Sequence, residues 1–299
     1  MKHELVHIKA CPICGNEKHK KFISAKDHNV SNDSFDIVSC IICQFRFTNP
    51  KPSEETIGKY YQSKDYISHT SSKKGFFNIL YHTVRNYQMN KKEKLISSFN
   101  NNAEKVLLDF GSGTGEFLNF CKIKGWNAHG VEPETKAADI AKRNYDLKIN
   151  TVSEFFKDTT NKYDVITMWH VLEHVYDLEK YLIEITKKLK TNGLLVLGLP
   201  NSNSYDAIYY KENWAAWDLP IHLYHFTKKD IMAVAKSYGF DLIKIKPLIF
   251  DSFYISMLSE QKKKKSKFLG VWRGLVSNLK AKTTEEYSSH IYILKKKSI

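Results

Sequence analysis

A chain of 299 residues with 42% hydrophobic content has room for one large domain or two smaller ones around a substantial core. No apolar run reaches the roughly 18 residues needed to span a bilayer, and an N-terminus with Lys2, His3 and Glu4 lacks a signal-peptide apolar region, so a cytoplasmic protein with no membrane partner is expected. The formal net charge of +14 invites an anionic partner, yet only four of the 46 basic residues are Arg, leaving 46 − 4 = 42 Lys, whereas phosphate and base contacts favour the Arg fork; nucleic acid is possible but not selected.

The first feature along the chain is a pair of knuckles, Cys11-Pro-Ile-Cys14-Gly15 and Cys40-Ile-Ile-Cys43. Two C-x-x-C pairs offer four thiolates to one ion, which suits tetrahedral zinc, with iron or a redox pair as the alternatives. Disulfides are rare in the cytosol, which favours the metal. With all four positions taken by sulfur no water can bind, so the zinc is expected to be structural and its binding part of the segment's folding free energy. Cys121 is expected in the core.

Residues 60–66 (Y-Y-Q-S-K-D-Y) and 75–99 are aromatic and helical in character and read as a linker or lid. Residues 105–117, K-V-L-L-D-F-G-S-G-T-G-E-F, then read as a buried strand, a glycine turn and a helix start. Val106, Leu107 and Leu108 form the continuous apolar run of a parallel strand covered on both faces, and Asp109 closes it. Gly111, Gly113 and Gly115 let the backbone turn sharply and approach a ligand closely, with the N–H groups of the following helix aimed at whatever fills the turn. Glu132, in G-V-E-P, stands where a doubly wound sheet places the acid that takes ribose hydroxyls.

Residues 163–169 (Y-D-V-I-T-M-W) read as another strand, and 170–175 (H-V-L-E-H-V) as the loop and helix start behind it. Residues 177–190 read as an amphipathic helix ended by Asn192-Gly193, and 194–199 as a further buried strand. Residues 201–227 form an aromatic insertion in which Trp214, Trp217, His222, Tyr224 and His225 are candidates for a ligand pocket, because loops at the carboxyl ends of strands line the ligand crevice of such sheets. Thr227 is expected to cap a helix beginning near Lys228, with Asp230 at its third position. Residues 241–248 and 290–295 supply two last strands, and 259–282 reads as a basic loop around the run Lys262 to Lys265.

The acid followed by G-x-G-x-G resembles motif I of the class I S-adenosylmethionine (SAM) dependent methyltransferases. A cysteine-rich segment ending in Phe45, Phe47, Pro50 and Pro52 before such a domain resembles bacterial methyltransferases with an N-terminal zinc-binding domain, a group that includes C-methyltransferases of nucleotide-linked deoxysugars. The P-x-H-L-Y-H-F stretch resembles one in methyltransferases of the ubiquinone-biosynthesis type. The resemblance implies an α/β fold, with a seven-stranded Rossmann-like doubly wound sheet behind a small four-cysteine zinc-ribbon-like domain. It implies domains at 1–58 and 101–299 with a helical linker or lid at 59–100. It also implies SAM held by Asp109, Gly111, Ser112, Gly113, Thr114, Gly115, Glu132, Pro133, Trp169 and His170, with Cys11, Cys14, Cys40 and Cys43 on zinc.

Methyl transfer requires the acceptor to be held in line, water excluded and a proton removed where the acceptor carries one. A histidine suits the last task, and His222 and His225 are the candidates, with His170 and His174 nearby. His174 can instead orient Glu173 or cap a helix start, and Ser153-Glu154 can contact adenine. The sugar-nucleotide C-methyltransferases use a neighbouring Glu-His pair, and no Glu precedes His222 or His225 here. The expected activity is methyl transfer to oxygen, nitrogen or carbon of a small molecule such as a sugar nucleotide. The alternatives are RNA or protein as acceptor, with the zinc ribbon as binding module, or a non-catalytic SAM-binding protein.

Overall fold

The computed structural model describes residues 4–61, 76–100, 104–160 and 162–298. Residues 62–66 of the aromatic linker lie outside them; Tyr60 and Tyr61 close a 3₁₀ turn, and Phe76–Phe99 is a helix, as the linker's composition suggested.

The N-terminal segment carries strands Leu5–Val6 (β1), His19–Lys26 (β2), Ser34–Cys40 (β3), Arg46–Thr48 (β4) and Lys51–Pro52 (β5). Beyond the linker come Val106–Phe110 (β6), Asn127–Val131 (β7), Ile149–Asn150 (β8), Tyr163–Trp169 (β9), Leu189–Pro200 (β10), Tyr224–His225 (β11), Phe240–Pro247 (β12) and Ser289–Lys296 (β13). Seven strands form the main sheet in the order β12-β13-β10-β9-β6-β7-β8. β10, β9, β6, β7 and β8 run parallel, and β13 is antiparallel to both of its neighbours. β6 is buried along its whole length, as its apolar run demands. Strand order reverses between β6 and β9, so the crevice that such sheets use for ligands opens at their carboxyl ends. Cys121 is fully buried in the helix behind the glycine turn, a core residue as expected.

Three local readings need correction. The helix expected to run to residue 190 ends at Lys188. Leu189 already pairs with Tyr163, and the Asn192-Gly193 turn is absorbed as an irregularity inside β10, with Asn192 at φ 62°. The basic loop of 259–282 is instead most of a helical hairpin, Asp251–Lys262 and Lys267–Thr284. Small residues at helical spacing let the two helices pack closely, and the lysine run occupies the turn between them. The aromatic insertion is also structured, with a helix Tyr205–Tyr210 and two 3₁₀ turns before β11.

β11 crosses the boundary expected near residue 58. It pairs with β4, Tyr224 opposite Phe47 and His225 opposite Arg46, and so completes a four-stranded sheet ordered β11-β4-β3-β2. Phe45 stacks on Phe47 and Tyr224 and packs against Phe226, which makes the cysteine-bearing segment continuous with the core of the main sheet.

Candidate active site

The glycine turn after β6 contains two kinds of glycine. A Cβ on Gly111 would lie 2.3 Å from the Val171 side chain, and one on Gly115 would lie 2.8 Å from Ala141 and Leu147. These two glycines serve packing. Among the described residues, Gly113, at φ +55°, has no atom beyond its chain neighbours within 4 Å of where its Cβ would stand, so of the three it is the one that faces open space. Its N–H donates to Glu132 Oε2 over 2.7 Å, and Glu132 Oε1 accepts from the N–H of Glu134. Burial pushes the Glu132 carboxyl up against these two hydrogen bonds. Pro133 is exposed beside it, and the Thr114 hydroxyl donates to Glu116.

Asp109 lies beneath the turn, buried, and accepts from the Thr167 hydroxyl over 2.6 Å. Burial raises its carboxyl to about 7, against the Thr167 hydrogen bond and the field of Lys92. Lys92 lies 4.0 Å above the Trp169 ring, which also meets Phe117 in a T-shaped contact. Among the described residues, two buried polar atoms here, Ser112 Oγ and Trp169 Nε1, have no hydrogen-bond partner. Orphaned donors beside an open glycine are what a polar ligand would satisfy.

A second group begins where β9 ends. His170, at φ 56°, sets Nε2 3.1 Å from Asp251 and Nδ1 3.6 Å from Glu173. Burial works against its charge, but the two carboxylates hold the imidazolium at about 10. Burial likewise opposes ionisation of Glu173, yet His170 and the neighbouring imidazoles hold this carboxyl below its ordinary value. Ligand-capable atoms of Glu173, His174 and His222 lie within 4.8 Å of one another, the place among the described residues, besides the cysteines, where such groups converge.

Both imidazoles have fixed tautomers. His222 Nδ1 lies 2.9 Å from the Ala216 carbonyl and His174 Nδ1 lies 3.1 Å from the Ile221 carbonyl. A carbonyl only accepts, so each Nδ1 carries the proton and each Nε2 keeps a lone pair. Burial keeps both rings neutral, His174 down at about 4 and His222 below its ordinary value with Glu173 pulling it back up. His174 also meets the Tyr61 hydroxyl at 3.2 Å, and it caps no helix.

His225 sits in a different environment. It is buried, edge-on to Trp217, and its Nε2 lies 3.1 Å from Thr48 Oγ1. The Thr48 hydroxyl donates its one proton to the His222 carbonyl, so His225 donates to Thr48. Burial, with His222 and Arg46 close by, keeps His225 uncharged. The aromatic residues expected around an acceptor are likewise packed away. Trp214 donates to Asp206 and Trp217 to the Lys211 carbonyl, and Trp214, Ala216, His222, Tyr224 and His225 leave no water-sized space between them (about 0 Å³). Glu154 and Thr151 form a reciprocal helix cap at the start of Val152–Lys157. The cap of Thr227 by Asp230 is present.

The four cysteines of the two knuckles converge. Cys11 and Cys43 sulfurs are 3.5 Å apart, as are those of Cys14 and Cys40, and all four lie within 4.8 Å. Zn–S bonds of about 2.3 Å in a tetrahedron require sulfurs about 3.8 Å apart, so the donor set fits a zinc ion. The segment is tied to the rest by Thr48, by Arg46 donating to the Ser202 carbonyl and by Lys51 donating to the Tyr176 carbonyl.

Sequence reasoning brought Glu173 forward only as a partner of His174, placed Tyr61 and Lys92 only within the linker or lid, and missed Asp251. The Glu that does not precede His222 in sequence reaches it through space from the loop after β9. The Glu173 carbonyl also accepts from the N–H of Leu223, so the two loops are joined at backbone level.

A family model described as a methyltransferase domain matches residues 81–245, more than half of the chain. The chain is 23% identical over 199 residues to the ubiquinone biosynthesis O-methyltransferase of Rickettsia prowazekii (strain Madrid E), covering 62% of this chain and 78% of that protein. To the same enzyme of Rickettsia bellii (strain OSU 85-389) it is 26% identical over 142 residues, or 45% of this chain and 59% of that one. A solved structure from Galdieria sulphuraria, assigned as a sarcosine dimethylglycine methyltransferase, aligns with a TM-score of 0.50 at 12% identity over 72% of this chain and 86% of its own, a likeness of fold.

Proposed function

The chain belongs to the methyltransferase-domain family as a class I SAM-dependent methyltransferase, and on that footing we propose that it methylates a hydroxyl of a small-molecule biosynthetic intermediate. The observation that carries this reading is the convergence of Glu173 with two neutral imidazoles, each keeping a lone pair on Nε2, with Asp218 Oδ2 3.9 Å from that of His222. The low-identity likeness to enzymes named as O-methyltransferases agrees with it.

Asp109, the turn from Gly111 to Gly115, Glu132, Pro133, Trp169 and His170 would hold SAM, with Gly113 leaving it room and Ser112 and Trp169 offering unused polar atoms. When bound, SAM supplies a methyl group on a sulfonium centre. In our reading His222 Nε2 takes the proton of the acceptor hydroxyl, the Ala216 carbonyl keeps the ring in the productive tautomer, and Glu173 stabilises the imidazolium that results. His174 shares that environment as a second lone-pair donor. His225 is assigned a positioning role, holding the His222 loop through Thr48. The four cysteines are assigned to a structural zinc ion that keeps β4 in register beneath the same loop.

The test incubates the full chain with methyl-labelled SAM and host lysate separated into small molecules, RNA and protein. Label in the small-molecule fraction, with a methyl ether in the product, is expected. Label in nuclease- or protease-sensitive material would overturn the reading in favour of a macromolecular acceptor.

A further inference from the structure

The hairpin helix Lys267–Thr284 is built the wrong way round for a protein interior. Its small residues, Gly270, Gly274, Ser277 and Ala281, are buried and share one face at the 3.6-residue period. They let it sit directly on the helix Asp251–Lys262: a Cβ on Gly270 would lie 2.4 Å from Met257 Cα, and one on Gly274 would lie 2.7 Å from Phe253 Cα. The bulky residues occupy the opposite face and stay in solvent. Phe268 is 79% exposed, Val271 43%, Trp272 58%, Leu275 40% and Leu279 51%, and steps of 100° per residue align all five in one stripe. Among the described residues nothing covers that stripe.

Charge identifies what would cover it. Between Gln261 and Thr284 the chain has eight basic residues and no acidic one, and Lys264, Lys265, Lys267, Lys280 and Lys282 are exposed. A second copy would bring the same cations face to face, and a nucleic acid would leave the apolar stripe unused. No helix of the described residues is long and apolar enough to cross a membrane, and this one carries a charge within the stripe's own length at Arg273. A basic rim around a Trp, Phe and Leu face is the composition of a helix that lies in the plane of a bilayer interface.

We propose that Lys267–Thr284 is a membrane-surface contact whose apolar stripe enters the headgroup region of an anionic bilayer while its lysines meet the lipid phosphates. This replaces the expectation of no membrane partner, and it goes beyond the proposed methyl transfer without depending on it. The partner helix begins at Asp251, which pairs with His170 of the candidate active site.

Flotation of the full chain with phosphatidylcholine vesicles, with and without phosphatidylglycerol, tests it. The protein should float with anionic vesicles and not with neutral ones, and high salt should release it. Phe268→Ser with Trp272→Ser should abolish flotation while SAM affinity stays unchanged. Lys264→Gln, Lys265→Gln and Lys267→Gln together should weaken binding on the order of a hundredfold, about fivefold per charge. Absence of flotation by the parent chain would overturn the proposal, as would undiminished binding of the Phe268→Ser, Trp272→Ser variant. Self-association abolished by that same variant would assign the stripe to a second copy instead. Because the readout is vesicle binding, failure here leaves the acceptor assignment untouched.

Discussion

The hydroxyl of Thr48, in the cysteine-bearing segment, donates to the main-chain carbonyl of His222 over 2.7 Å, a hydrogen bond between residues 174 positions apart. The same oxygen accepts from His225, so one buried side chain fixes both histidines of the aromatic insertion. Thr48→Val keeps the shape and removes both hydrogen bonds. Leaving those groups unsatisfied should cost about 1–3 kcal/mol in urea unfolding, with kcat reduced and SAM affinity unchanged. Unaltered stability would show that the clamp carries no energy.

Loss of the metal should act on the same clamp from the other side. Cys14→Ser is expected to lose zinc by atomic emission and to lower kcat more than SAM affinity, since β4 would lose the ion that holds its register. A full metal complement in that variant would contradict the four-sulfur site.

The three turn glycines should separate under substitution. Gly113→Ala introduces a methyl group into open space at a positive φ, so it should cost about 1–2 kcal/mol of stability yet reduce SAM affinity at least severalfold by calorimetry. Gly115→Ala drives a methyl group into Ala141 and Leu147 and should destabilise the fold more than it affects the affinity of the protein that remains folded. Equal affinity in Gly113→Ala and the parent would remove the turn from the cofactor site.

His222→Gln should lower kcat by about 10²–10⁴ with little change in SAM affinity, the range for loss of a general base. In the parent, kcat/KM should rise with pH through a value below 6.5 and then level off, because burial holds the His222 ring below that ordinary value. A variant that retains parental kcat would transfer the role to His174.

His170 gives a pH dependence of opposite sign, in stability. Its folded-state value of about 10 lies above the ordinary 6.5, so its contribution is fully present below 6.5 and is lost as pH rises through about 10. Asp251 and Glu173 are held below their ordinary 3.8 and 4.5, so their share is lost as pH falls below those values. The stability gap between the parent and His170→Gln should therefore be widest between 4.5 and 6.5 and shrink toward 10 in urea unfolding. A gap that does not vary with pH would mean that the ring is neutral.

The features legible in the sequence were local ones. The turn from Asp109 to Gly115, Glu132 and the two cysteine knuckles are short patterns in which spacing alone determines geometry, and the buried runs of β6, β9 and β10 announce themselves by composition. Glu173, His222 and Asp251 were not legible as a group, because their proximity depends on loops joined across the sheet, such as His174 to the Ile221 carbonyl over 47 residues. The hairpin was obscured for a different reason. Its lysine run dominates the reading of residues 259–282, while the small-residue period that makes it helical has meaning only once the facing helix is known.

The two-residue strand β11 also sets an order of assembly. β4 ends at Thr48 and β11 begins at Tyr224, about 175 residues later, so during translation the cysteine-bearing sheet has an open edge at β4 until Tyr224 and His225 arrive. Unpaired edges recruit foreign strands, and long sequence separation slows their closure. The nascent chain must therefore keep that edge unoccupied while most of the main sheet is made, and a chain truncated before residue 224 would retain the cysteine knuckles but expose β4 as a permanent site of aggregation.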